Sequence, residues 1–167
     1  MNNSGFSLLE LLATIAVMAI TSMGVTSVIL TCTDLDMTSY QTGVAMDKAN
    51  EIMEMVRKTD FTSLISTYGA TLTTEGVWVS GFDVPNLEVR ATDLDGMAGK
   101  VLIVVNETLY TEETFTLGFP RDLNGDGMAT SLDVTASYKI LPVIVKVEWA
   151  TKFGDREYDL RTLIARR

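Results

Sequence analysis

One stretch decides how this chain can fold: Gly5-Phe6-Ser7-Leu8-Leu9-Glu10-Leu11-Leu12, followed by an apolar run that continues to about Thr33. Glu10 is the only charged residue between Phe6 and Thr33. About 20 apolar residues, at roughly 1.5 Å each along a helix, are enough to cross the ~30 Å hydrocarbon core of a bilayer. The stretch therefore predicts a membrane-spanning helix, and a carboxylate inside such a helix requires a partner or a function.

Two simpler interpretations of this stretch are a cleavable signal peptide and an ordinary signal anchor. A signal peptide carries a positive n-region, a shorter apolar core and a small-residue cleavage site after that core. This chain has no Lys or Arg before the run and no Ala-x-Ala exit after it. In a signal anchor, the Glu10 side chain would simply reach back to the membrane interface.

The junction between Gly5 and Phe6 resembles the prepilin cleavage and methylation site of type IV pilins and type II secretion pseudopilins. The resemblance implies that a membrane-bound prepilin peptidase cuts after Gly5 and methylates the new amino terminus at Phe6. It also implies that Glu10, the fifth mature residue, attracts the amino-terminal charge of a neighbouring subunit during filament assembly. The physics agrees, because a buried carboxylate and a buried ammonium are each costly alone and tolerable as a pair.

Beyond Thr33 the same helix is predicted to continue as an amphipathic segment that ends at Lys58. Apolar residues recur at helical spacing, from Val44 and Ala45 to Val56, and charged residues occupy the other positions. The sequence thus predicts a leader over residues 1–5, a transmembrane half-helix over 6–33, an amphipathic half-helix over 34–58 and a small α+β domain over 59–167.

The small domain is predicted to be an antiparallel sheet that closes with a hairpin. Apolar and polar residues alternate from Val143 to Trp149 and again from Tyr158 to Ile164, around a turn at 151–155. We expect one face of this hairpin to pack on the helix and the other to be largely wet. The fold class is α+β, with a long N-terminal helix on a small sheet, as in pilins. The closing hairpin is also similar to the C-terminal end of minor pilins and minor pseudopilins.

Between the helix and the hairpin, shorter elements are predicted from turn and strand signals. These are a helix over 61–68 capped by Asp60, a Thr-rich connection over 69–76, extended pieces at 77–79, 82–84 and 87–89 broken by Gly81 and Pro85, a solvated acidic turn at 93–96, a buried strand over 101–105, and a short strand at 115–117.

A possible calcium site lies over residues 122–133. Calcium-binding loops place oxygen ligands at positions 1, 3 and 5, a glycine at 6, a carbonyl at 7 and an acid at 12. The same spacing suits a dockerin-like loop, and it also suits a bare polar turn, because Asn-Gly and Asp-Gly form turns by themselves. The candidate ligands are Asp122, Asn124, Asp126, the carbonyl of Met128 and Asp133, with Thr130 as the holder of a water; the expected role of Ca²⁺ is structural.

Composition excludes several classes of function. The net charge of −9 over 167 residues argues against nucleic-acid binding, which needs a basic surface. The chain has no His, one Cys (Cys32), and no nucleophile–base pair or phosphate-binding loop, so we expect no enzymatic activity.

The leading hypothesis is a structural subunit, a minor pilin or pseudopilin of a type IV pilus or a type II secretion pseudopilus. Its expected location is the bacterial inner membrane, with a single span and a periplasmic C-terminal domain, before assembly into a filament or its tip. The expected partners are the prepilin peptidase, other pilin or pseudopilin subunits and the inner-membrane assembly platform. The alternative is a membrane-anchored, calcium-dependent binding module on the cell envelope.

Overall fold

A computed structural model describes residues 7–93, 95–130 and 137–166 of the chain. Two compact units are present, one up to Tyr40 and the other from Gln41 onward. The predicted α+β class is confirmed, because a long N-terminal helix precedes a five-stranded antiparallel sheet. The predicted divisions at residues 5, 33 and 58 stay predictions. The elements are α1 (Leu8–Lys58), a 3-10 turn (Phe61–Ser63), α2 (Leu64–Tyr68), β1 (Thr71–Leu72), β2 (Val77–Phe82), β3 (Gly99–Val104), α3 (Glu112–Phe115), β4 (Ile140–Thr151) and β5 (Gly154–Ala165).

The first unit consists of helical backbone with its apolar side chains exposed. Every residue from 7 to 33 is exposed, although this stretch is the most apolar in the chain. Its threonine hydroxyls are bonded within the helix: for example, Thr26 Oγ1 donates to the carbonyl of Ser22 at 2.9 Å, and Thr31 Oγ1 donates to that of Ser27 at 3.0 Å. Because these hydroxyls are already bonded, burial in an apolar medium would cost them little.

The second unit has its main core between the last part of α1 and one face of the sheet. α1 contributes Ala45, Ala49, Ile52, Met53 and Val56, spaced to lie on one side of the helix. Every second residue of β3 and of β4 faces this core, and the antiparallel pairing places the core residues of the two strands opposite one another. The central sheet residues of this core are Val101, Ile103, Val143, Val145, Val147 and Trp149.

The sheet is a meander in which each strand pairs with the next, in the order β1-β2-β3-β4-β5. β4 and β5 form the C-terminal hairpin, with Val145 opposite Leu160 and Val147 opposite Tyr158. Its turn is tighter than the predicted span of 151–155, because Thr151 pairs with Gly154 and leaves only two residues in the loop.

The expectation that the outer face of the hairpin is largely wet is wrong for its first half. A second apolar cluster covers this face, formed by Val77, Val104, Phe119, Leu123 and Ile144. The connection between β3 and β4 supplies Phe119 and Leu123, which fold back over the sheet and leave Ile144 only 2% exposed. Period-2 alternation does not reveal such a cover, because its residues lie far away in the sequence.

The predicted strand at 115–117 is also wrong, because a single helical turn, α3, ends at Phe115. Thr111 caps this turn: its hydroxyl accepts from the N–H of Thr114, and the Thr114 hydroxyl accepts from the N–H of Thr111. This reciprocal pair is a capping box, and its local hydrogen bonds outweigh the strand propensity of Phe115 and its neighbours.

The predicted break at Gly81 is wrong, because Gly81 lies inside β2, opposite Lys100. A Cβ atom at this position would come within 2.5 Å of the Met97 sulfur, so the glycine allows a close approach rather than a turn. The piece at 87–89 is reduced to a single bridge between Glu88 and Ala150, and the Thr-rich connection contains β1. The cap at Asp60 is confirmed, since its carboxylate accepts from the N–H of Thr62.

Candidate functional site

Glu10 lies in the first turn of α1, where a carboxylate also complements the positive pole of the helix. Its N–H donates to the carbonyl of Ser7 at 2.9 Å, and its own carbonyl accepts from Thr14 Oγ1 at 2.6 Å. The side chain is exposed on a helix surface that is otherwise apolar. The two predicted processing residues, Gly5 and Phe6, lie outside the described residues.

The surface around Glu10 is long and apolar enough to cross a membrane. Within α1, a window of 18 residues has a mean hydropathy of 2.0, and none of that window is buried. Each large apolar side chain left in water forgoes about 1.5–3 kcal/mol of transfer free energy. An exposed apolar surface of this size is typical of helices that contact lipid or other helices.

In the acidic loop, residues 122–130, backbone N–H groups donate hydrogen bonds to side chains of the same loop. The Asp122 carboxylate accepts from the N–H of Gly125 at 2.5 Å and from the N–H of Gly127 at 2.8 Å. Both glycines have positive φ, 75° and 90°, which the tight winding requires. The hydrogen bond from Gly127, followed by that from Gly125, lowers the pKa of Asp122 and keeps the carboxylate charged.

The loop brings three of the predicted calcium ligands together. Asn124 Oδ1 accepts from the N–H of Asp126 at 2.8 Å, and Asn124 Nδ2 donates to Asp126 Oδ2 at 3.1 Å. The N–H of Met128 donates to Asp126 Oδ1 at 2.8 Å. The fifth predicted ligand, Asp133, lies outside the described residues.

The chemistry of these groups suits a hard cation, but the described donors are few. Calcium takes six to eight oxygen ligands, and three side chains with the Met128 carbonyl supply about four. Among residues 7–93, 95–130 and 137–166, no group of three or more His, Cys, Asp or Glu side chains could hold a metal ion. Water and residues beyond those ranges would have to complete the coordination.

The sequence analysis did not identify Glu107, whose carboxylate accepts hydrogen bonds from the backbone of the acidic loop. Its carboxylate is fully buried, and its Oε1 accepts from the N–H of Leu123 at 2.7 Å and from that of Asn124 at 3.2 Å. Its Oε2 accepts from the N–H of Thr130 at 2.8 Å and from Thr130 Oγ1 at 3.3 Å. Glu107 lies 16 and 23 residues away from these partners, so no local motif indicates the contact.

The outer face of the sheet also carries a partly buried network of charges. Lys146 contacts Glu113 at 3.2 Å, Glu157 at 3.3 Å and Glu148 at 3.4 Å. Burial lowers the pKa of Lys146, but the hydrogen bond that Lys146 donates to Glu113 and the charges of Glu148 and Glu157 outweigh it and raise the pKa overall. The network holds α3 and β5 on the centre of the sheet.

In the acidic turn at 93–96, predicted to be solvated, Asp95 and Gly96 are exposed as expected, whereas Asp93 is half-buried. The Asp93 side chain is 8% exposed and pairs with Lys100 Nζ at 2.5 Å. Burial lowers the pKa of Lys100, but the hydrogen bond and charge of Asp93 outweigh this effect and raise it overall. Lys100, on β3, supplies the positive charge that offsets the burial of this carboxylate.

The comparison with known families confirms the N-terminal resemblance. Residues 1–26 match the family model of the prokaryotic N-terminal methylation motif. This motif is characteristic of type IV pilin-like prepilin proteins, a structural and non-enzymatic class. Together with the apolar helix that follows it, the motif suits anchoring in the inner membrane. No match was found among curated proteins or among solved structures.

Proposed function

We propose that this chain is a minor pilin or minor pseudopilin, a structural subunit without catalytic activity. The observation that carries the proposal is the methylation motif over residues 1–26, joined to a helix whose residues 7–33 are all exposed although they are apolar. A filament subunit needs such a surface twice, first for lipid and then for the helices of its neighbours.

Processing would separate residues 1–5 from the rest and leave a methylated amino terminus on Phe6. The prepilin peptidase acts in the inner membrane, and the second unit would lie on the periplasmic side. Other pilin or pseudopilin subunits and the inner-membrane assembly platform would then take up the mature helix. The filament is a type IV pilus or a type II secretion pseudopilus.

The test of processing is mass spectrometry of the N-terminal peptide from protein made in its native host. The expected peptide begins at Phe6 and carries one added methyl group. The same protein made in a host that lacks the prepilin peptidase is the control, and it should retain residues 1–5. A Met1 or Asn2 terminus in the native host would refute the proposal and favour the membrane-anchored binding module.

The test of assembly is the substitution Glu10→Ala in the full chain. We expect normal membrane insertion and a reduction of about tenfold or more in co-purification with the filament, because the amino terminus of the neighbour loses its buried counter-charge. Glu51→Ala is the matched control, since Glu51 is an exposed acid of the same helix in the second unit. Equal incorporation of both variants would remove Glu10 from the assembly mechanism.

We also propose that the acidic loop binds Ca²⁺ in a structural role. The spacing from Asp122 to Asp133 supports this proposal, as does the loop geometry, in which Asn124 contacts Asp126 and the Asp122 carboxylate binds the loop backbone. The ion would neutralise carboxylates that repel one another, and at 100 times its Kd it would stabilise the domain by about 2.7 kcal/mol.

Thermal unfolding of the full chain in detergent, with calcium chloride or a chelator, tests the calcium proposal. Calcium should raise the Tm of the wild-type protein and of Asp47→Asn, a control at an exposed acid of α1. It should leave Asp122→Asn and Asp126→Asn almost unshifted. A wild-type Tm that does not respond to millimolar calcium would leave the loop as a polar turn.

A further inference from the structure

Glu107 is the only carboxylate among the described residues that is fully buried. It lies in the turn directly after β3, where Asn106 accepts from the N–H of Thr108 and so fixes the turn. The backbone of Glu107 contacts the same region as its side chain, because its carbonyl accepts from the N–H of Arg121 at 2.9 Å. One residue next to the sheet thus contacts both the beginning and the end of the acidic loop.

The donors that reach this carboxylate are three backbone N–H groups and one hydroxyl. A buried carboxylate is stable only when its lone pairs are filled, and a backbone N–H that loses its acceptor in a buried position is costly as well. The loop therefore supplies the hydrogen-bond donors that the buried carboxylate needs, and the carboxylate supplies the acceptor that the N–H groups of the loop need.

The base of the loop is also joined to the sheet through Leu123. This residue is fully buried, and its carbonyl accepts from the N–H groups of Lys139 and Ile140, at the start of β4. Its N–H donates to Glu107. Leu123, inside the acidic loop, is therefore joined both to the turn after β3 and to the start of β4.

We infer that Glu107 is the positioning residue of the acidic loop. It holds residues 123, 124 and 130 in place, so that Asp122, Asn124 and Asp126 converge without an ion. The inference rests on the calcium proposal only in its second consequence: if the loop binds Ca²⁺, Glu107 raises the affinity, because a loop that is already folded loses less conformational freedom on binding.

The first consequence is tested by hydrogen exchange of the full chain in detergent micelles, in the presence of a chelator. In Glu107→Gln the amide group turns a donor toward N–H groups that need an acceptor. We expect exchange over residues 121–130 to be about tenfold faster, while exchange in β3 and β4 changes by less than about twofold. Glu112→Gln is the control, because Glu112 is an exposed acid five residues away.

Unchanged exchange over residues 121–130 in a folded Glu107→Gln would overturn the inference. If that variant also loses protection in the sheet, Thr130→Val gives a gentler test, because it removes only the hydroxyl donor to Oε2. We expect exchange near residue 130 to be about threefold faster in Thr130→Val. Wild-type protection in this second variant would also overturn the inference.

The second consequence is tested by calorimetric titration of the same proteins with calcium chloride. We expect the Kd of Glu107→Gln to be at least about fivefold higher than that of the wild type. Equal Kd values would overturn the positioning role for calcium. A wild-type protein that binds no calcium refutes the calcium proposal alone, since the exchange experiment in chelator still decides the role of Glu107.

Discussion

Leu30 and Leu141 have the same side chain and opposite surroundings in the two compact units. Leu30, on α1 in the first unit, is 59% exposed, whereas Leu141, on β4 in the second unit, is fully buried. The second unit covers its apolar side chains with its own residues, and the first does not. From this difference we expect the second unit to be stable by itself and the first to need apolar contacts that its own residues do not supply.

The largest expected effect comes from the same deletion made in both units. Leu141→Ala should lower the unfolding free energy of the second unit by about 2–5 kcal/mol, because it opens a cavity in a closed core. Leu30→Ala should change that free energy by less than about 0.5 kcal/mol. Urea unfolding of the full chain in detergent, followed by the fluorescence of Trp78 and Trp149, which both lie in the second unit, measures both.

Equal losses in the two leucine variants would contradict this comparison. They would mean that residue 30 contributes to the core of the second unit.

A smaller change in unfolding free energy is expected when two threonines that form different hydrogen bonds to the backbone are replaced. Thr111→Ala removes the cap of α3 and should cost about 1 kcal/mol of unfolding free energy. Thr26→Ala removes a hydroxyl that only returns to its own helix, so the second unit should keep its stability within about 0.5 kcal/mol. The same urea experiment measures both, and an uncapped variant as stable as wild type would show that α3 does not need its cap.

The smallest expected effect is a loss of unfolding free energy of the second unit at low pH. Hydrogen bonding by its own backbone N–H, and then by Lys146 and Thr111, lowers the pKa of Glu113 despite burial. A depressed folded-state pKa stabilises the protein above the unfolded value of about 4.3, and this contribution is lost as the pH falls through the folded-state pKa. The part due to Glu113 should be below about 1 kcal/mol, because the side chain is partly exposed.

Unfolding of wild type, Glu113→Gln and Glu10→Gln between about pH 6 and pH 3 measures this contribution. The acid-induced loss of stability should be smaller in Glu113→Gln than in wild type. It should be unchanged in Glu10→Gln, whose carboxylate belongs to the first unit. An identical pH profile in all three proteins would show that Glu113 does not contribute.

Elements with a long, repeated pattern could be predicted from the sequence. α1 combines an apolar run with a helical spacing of apolar residues up to Val56, and the hairpin alternates over two strands of 12 residues each. In both cases burial on one side imposes a period that the residues themselves display. β1 has two residues and α3 has four, so neither is long enough to display a period.

The candidate sites divide in the same way. Asp122, Asn124 and Asp126 could be found because a calcium-type loop places its ligands at fixed offsets along the chain. Glu107 could not be found, because its partners come from a segment that only the folded sheet brings close. The cover over Ile144 is hidden for the same reason, since Phe119 and Leu123 reach it through a long connection.

The order of the strands has a consequence for how the chain is made. Each strand of the sheet pairs with the one that precedes it, from β1 to β5. Pairing between successive strands closes only one connection at a time, which keeps the entropic cost of each step small. The sheet can therefore be assembled strand by strand in the direction of synthesis, after α1, which precedes all five strands in the chain. From β2 onward, each strand meets a partner that has already been synthesised, and β5 completes the sheet.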